Sequence, residues 1–95
     1  MSAVKVVVWR KRVSKQLEML PDHIVLKFYA WVEAVRLAGL SQVRMQPGFH
    51  DEPLKGKRKG QRSIRLNAAY RAVYEERKDG SIKLIEVIEV NKHEY

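Results

Sequence analysis

The sequence predicts an α+β fold in one domain, residues 1–95. An N-terminal strand leads to a two-helix hairpin and then a mainly antiparallel sheet, in the order β-α-α-β-β-β. Three observations carry this. Val4-Lys5-Val6-Val7-Val8-Trp9 is β-branched and aromatic with one charge, which suits a strand. Ile24, Phe28, Trp31, Val32 and Val35 recur at helical spacing. Three alternating or apolar runs, over 62–66, 70–75 and 82–90, are separated only by short turn-like segments. At 95 residues with 45% apolar content, the chain has enough material for one modest core.

In chain order, Arg10-Lys11-Arg12 reads as a basic turn, and Ser14 as the N-cap of a short helix through Leu20 with Leu17 and Leu20 on one face. Pro21 suits the first turn of the second helix, with Asp22 near the positive end of its dipole. Gly39 suits its C-terminal cap. The two helices form a hairpin over one face of the sheet, and Trp9, Phe28 and Trp31 are most simply core residues. The segment 41–53 holds Pro47, Gly48 and Pro53 and has no periodicity, so it reads as loop. Asn67-Ala68-Ala69 is a short connection. If that loop has three residues, Leu66 pairs with Tyr70, and Arg65 lies directly opposite Arg71 on one face. Asp79-Gly80 is a turn, and 82–90, the longest apolar run, is a central strand.

Composition narrows the function. Net charge is +8 with a pI of about 10.0, which points to nucleic acid, an acidic protein or an anionic membrane surface as counterpart. The absence of cysteine excludes disulfides, thiol chemistry and cysteine-bound zinc, and fits a reducing cytoplasm. No apolar run approaches a membrane span or the core of a signal peptide.

The positive charge is concentrated. Leu54 to Arg71 holds Lys55, Lys57, Arg58, Lys59, Arg62, Arg65 and Arg71 with no acid among them. Gly56 and Gly60 among the cations make the first half an exposed loop, and the second half becomes a strand with arginine pointing outward. The plain reading is a solvated charge run; the functional one is a surface for polyanions. Lys57, Arg58 and Lys59, flanked by glycines, are expected to be mobile and to serve electrostatic attraction more than fixed geometry. Two arginines opposed on a bare sheet cost stability, and such local conflicts mark function.

The chain continues from its central strand into Asn91-Lys92-His93-Glu94-Tyr95, which brings His93 and Tyr95 to a sheet end beside Arg65 and Arg71. Histidine exchanges protons near neutral pH. Cations can stabilise a crowded, extra-charged phosphorane while His93 or Tyr95 handles the protons. RNA brings its own nucleophile in the 2′-hydroxyl, and no His, Asp and Glu residues stand at metal-ligand spacing. A terminal histidine is also a common surface residue. His50, before the basic run, is a further candidate within reach of the site, with Asp51 and Glu52 available to hold it or a basic neighbour. His23 belongs to the surface of the second helix.

Pro53-Leu54-Lys55-Gly56, Arg62-Ser63-Ile64-Arg65-Leu66, Tyr70-Arg71-Ala72-Val73-Tyr74 and the closing 87–95 segment, ending His93-Glu94-Tyr95, resemble in that order the RelE/HigB-like toxins of the RelE/ParE superfamily, from bacterial type II toxin–antitoxin pairs. The resemblance covers nearly the whole chain. It implies a cytoplasmic, metal-independent endoribonuclease that cuts mRNA, commonly on the ribosome, and is neutralised by a cognate antitoxin; no cofactor is implied. It further implies catalytic roles for Arg65 as phosphate binder, Arg71 as transition-state cation, and His93 and Tyr95 as the proton-transfer segment. By the same resemblance Lys55 and Lys57 look like substrate or ribosome contacts, and the basic residues Arg58, Lys59, Arg62 and Lys92 are read with them as RNA or ribosome contacts. Two other functions stay open: a gyrase poison of the ParE branch, and an RNA-binding module without chemistry.

Overall fold

The computed structural model describes residues 6–89. Strand β1 (Val7–Val8) is followed by helices α1 (Lys11–Glu18), α2 (Asp22–Ala38) and α3 (Leu40–Arg44). After these come β2 (Glu52–Pro53), β3 (Arg62–Arg65), β4 (Tyr70–Glu76) and β5 (Ile82–Glu89). The strands form one sheet in the order β1-β5-β4-β3-β2. Only the β1–β5 pairing is parallel, so the α+β class and the mainly antiparallel sheet are as expected. The strand expected over 4–9 is seen as Val7–Val8, with residues 4 and 5 outside the described range.

The second helix runs over Asp22–Ala38, with Pro21 just before it at the N-cap and Gly39 just after it as expected. Gly39 closes it at φ 86° and accepts no Cβ penalty there, while its N–H bonds back to Val35. Elsewhere the local signals misled. Helix α1 begins at Lys11, not after Ser14, so Lys11 and Arg12 are helical rather than a turn. The Ser14 hydroxyl caps nothing and accepts the Trp9 indole N–H at 3.1 Å. The segment read as loop over 41–53 holds all but the first residue of α3, a 3-10 turn at Pro47–Phe49, and β2. Helix α3 is too short for a periodic signal; burial of Leu40 and Val43 holds it in place.

The core lies between the helices and one sheet face. Trp31, Phe28, Ile24 and Val35 from α2 meet Ile64, Tyr74, Ile82 and Leu84 from the strands. The Trp31 and Tyr74 rings sit 5.3 Å apart. In β5 the inward residues Leu84 and Val87 are three apart, which strict alternation would send to opposite faces. A bulge resolves this: Val73 pairs with Glu86 and Tyr74 with Leu84, leaving Ile85 as the extra residue. Beyond β1, α1 takes over the edge of β5, where the Gln16 side chain accepts the Val87 N–H at 2.9 Å.

Candidate nucleic-acid interface

The three-residue connection sets the site. The Asn67 side chain accepts the N–H groups of Ala69 (2.7 Å) and Tyr70 (2.9 Å), an Asx-type turn that fixes the reversal. Leu66 N–H then bonds to the Tyr70 carbonyl, and Arg65 pairs directly with Arg71, as the three-residue loop requires. Ile64, Leu66, Ala72 and Tyr74 point into the core. Alternation therefore puts Ser63, Arg65, Arg71 and Val73 on the face away from the helices.

Arg71 is held in a fixed pose. Its Nε donates to the Ser63 hydroxyl at 2.7 Å. Its Nη2 donates to the His50 carbonyl at 2.8 Å and the Ser63 carbonyl at 3.2 Å. The Glu52 carboxylate lies 3.6 Å away, and the arginine side chain is 15% exposed. Arg65 is exposed, and no ion pair engages it among the described residues. The site thus contains one preorganised guanidinium beside one that has no ion pair among the described residues, the arrangement that suits one group stabilising charge on a phosphate while the other grips it.

The basic loop divides into two parts. Lys55, Lys57 and Lys59 are exposed, without an ion pair among the described residues. Arg58 is tied down, contrary to the expectation of a mobile charge. It donates to Gln61 Oε1 at 2.9 Å and to the Glu86 carboxylate on β5. The loop is thereby drawn over the open face. Glu86, only 14% exposed, also accepts from Arg12 at 3.3 Å. Arg62 does not join the open face: its Nε donates to Asp51 at 2.5 Å, and the Tyr74 hydroxyl donates to the same carboxylate.

The expected sites therefore fall into three groups. Arg65, Arg71 and the His50 carbonyl come together, with the lysine loop nearby in sequence. Arg62 and Arg58 are committed to acids. Lys92, His93 and Tyr95 lie outside the described residues, the last of which, Glu89, is paired with Tyr70. His23 is exposed on α2 as expected. Among the described residues no three His, Asp or Glu side chains gather as metal ligands, and no helix is long and apolar enough to cross a membrane.

Sequence reasoning missed Ser63 and Glu86 as partners of the arginines. Glu86 left a signal, an acid inside the most apolar strand; Ser63 left none. Burial, and then the adjacent Asp51 carboxylate, push the Tyr74 phenol well above its ordinary value of 10.0.

No family model matches the chain, and no curated protein matches it. Solved structures do. An archaeal RelE in complex with RelB from Pyrococcus horikoshii superposes with a TM-score of 0.73 at 22% identity, covering 95% of this chain and 99% of that one. A YoeB/ParE toxin from Agrobacterium tumefaciens gives 0.69 at 22% identity, with 88% and 96% covered. YafQ from Escherichia coli gives 0.70 at 15% identity, with 90% and 92% covered. These neighbours are RelE/ParE-superfamily toxins, the group that the sequence motifs resemble, and the chain has their RelE-like fold.

Proposed function

We propose that this chain is the toxin of a type II toxin–antitoxin pair and acts in the cytoplasm as a metal-independent mRNA endoribonuclease, in association with the ribosome. The observation that carries the reading is the fixed Arg71 guanidinium, bonded to Ser63 and the His50 carbonyl, beside the exposed Arg65. In the reaction, the RNA 2′-hydroxyl attacks the adjacent phosphorus and the 5′-oxygen leaves. The 2′-oxygen gives up a proton and the 5′-oxygen gains one. Arg71 stabilises the charge that builds on the phosphorane, Arg65 holds the phosphate, and Lys55, Lys57 and Lys59 attract the RNA or ribosome. His93 is the proton donor to the leaving oxygen and Tyr95 orients the base or nucleotide; Lys92 adds a phosphate contact.

The partner is a cognate antitoxin whose acidic segment covers the arginine face, a reading supported by the fold shared with a RelE that forms a complex with RelB. Incubation with translating ribosomes, followed by mapping of mRNA ends, tests the function. Discrete new 3′ ends that disappear in Arg71→Ala support it. Intact mRNA with trapped gyrase–DNA breaks assigns the chain to gyrase poisoning, and intact mRNA that is merely bound assigns it to RNA binding alone.

A further inference from the structure

We propose that Asp51 is a positioning residue for Arg71, fixing from the core side the turn whose carbonyl grips the guanidinium on the open face. The inference rests on the reading of Arg71 as the transition-state cation.

Three consecutive residues carry it. His50 accepts Arg71 Nη2 through its main-chain oxygen at 2.8 Å. Glu52 places a carboxylate 3.6 Å from the same nitrogen. Between them the Asp51 side chain is fully buried. It points the other way, accepting Arg62 Nε at 2.5 Å and the Tyr74 hydroxyl. Segment 50–52 thus passes the edge of β3 and links the two faces of the sheet. Its backbone is not at rest: His50 lies in the left-handed region at φ 46°, ψ 53°, and is the one non-glycine residue with positive φ among those described. An L-residue keeps that conformation only where surroundings impose it.

Two things impose it: the 3-10 turn that His50 closes, whose Pro47 carbonyl accepts the His50 N–H at 3.1 Å, and, on the following residue, the Asp51 anchor. Tyr74 is completely buried against Trp31, so its hydroxyl is a fixed point of the core. Tyr74 and Arg71 share β4, on opposite faces and three residues apart. The path Tyr74–Asp51–His50 carbonyl–Arg71 therefore closes a loop on one strand, and a shift of the turn moves the guanidinium.

The test observes Arg71 directly. In ¹⁵N-labelled protein its Nε–H resonance is assigned by its loss in Arg71→Lys. Tyr74→Phe keeps the ring and removes the anchoring hydroxyl; Asp51→Asn removes the charge. Both variants are expected to move the Nε–H resonance toward that of a free arginine and to speed its exchange with water roughly tenfold, the scale of one hydrogen bond to a charged group. Cleavage of mRNA should lose kcat by about the same factor with KM little changed, and Tyr74→Phe should add nothing in an Arg71→Ala background. An unmoved Nε–H resonance in a folded Tyr74→Phe protein overturns the proposal, because a purely structural role lowers the melting temperature without touching Arg71. If Asp51→Asn fails to fold, Tyr74→Phe alone decides. If the wild-type protein cuts no RNA, the ribonuclease reading falls, while the Nε–H measurement still decides whether Asp51 positions Arg71.

Discussion

Arg65 and Arg71 are directly paired across β3 and β4, yet their guanidinium groups do not share a place. Arg71 lies back along the sheet over Ser63, toward the His50 carbonyl and the Glu52 carboxylate, while Arg65 stays exposed. The like-charge cost of the pairing is relieved by giving one partner acceptors and an anion, and leaving the other to solvent. A phosphate seated between them would meet one rigid donor set and one adaptable one.

Arg71→Ala is expected to reduce mRNA cleavage by on the order of 10²–10³, the worth of one preorganised donor to developing charge, with the fold intact. Arg71→Lys should recover little of this. A lysine ammonium can reach one of Ser63 and the His50 carbonyl, but cannot span both as the planar fork does. Circular dichroism and single-turnover rates check the pair of variants. A lysine variant at wild-type rate would show that charge alone, and not the pose, is what the site requires.

The basic loop should behave as two parts. Changing Lys55, Lys57 and Lys59 together to glutamine should lower the salt slope of RNA binding by about two, at roughly 0.7 per phosphate neutralised on a single strand. Arg58→Gln should leave that slope nearly unchanged and lower the melting temperature instead, since Arg58 is already spent on Glu86. Binding measured across a salt series, beside thermal unfolding, separates the two outcomes.

The sequence made the long helix legible because 17 residues of regular spacing leave no competing period. It also gave the Arg65–Arg71 register, because a three-residue turn around Asn67 allows one pairing. What it could not show depends on contacts between distant segments. Helix α3 exists only because Leu40 and Val43 find a core. Ser14 looked like a cap until Trp9 claimed its hydroxyl. Arg58 and Arg62 look identical to their lysine neighbours in a charge run, and only the folded chain brings Glu86 to one and Asp51 to the other. The place of Arg71 opposite Arg65 was identifiable, but its partners on Ser63 and His50 were not.

Stability above pH 10 should depend on Tyr74. Its phenol is raised above the ordinary value of 10.0 by burial and then by Asp51, with Arg62 and Arg44 as the cations nearby. The folded state therefore keeps a proton that the unfolded chain releases. The stabilisation is complete below about pH 10 and is lost as pH rises toward the folded value. Tyr74→Phe should cost about 1.5–3 kcal/mol at neutral pH through its bond to a carboxylate, and this difference should narrow as pH climbs above 10. Urea unfolding of both proteins along an alkaline series measures it; a difference independent of pH would mean that the phenol ionises freely in the folded state.

The two histidine candidates can now be told apart by what each offers. His50 contributes its carbonyl to Arg71, and its backbone sits at φ 46°. Nothing in that contact requires an imidazole. His50→Gln should therefore leave the cleavage rate within a few-fold of wild type, since the carbonyl survives. His50→Gly should preserve the rate too and stabilise the turn by up to about 1 kcal/mol, because glycine enters the left-handed region without a Cβ clash. His93→Gln, by contrast, should cost roughly 10²–10⁴, the usual contribution of a general acid or base. Single-turnover cleavage by the three variants, with unfolding curves for His50→Gly, decides between backbone and side-chain roles. Loss of cleavage in His50→Gln with His93→Gln unaffected would move the proton chemistry to the turn beside Arg71, and would make the same residue both the clamp and the catalyst.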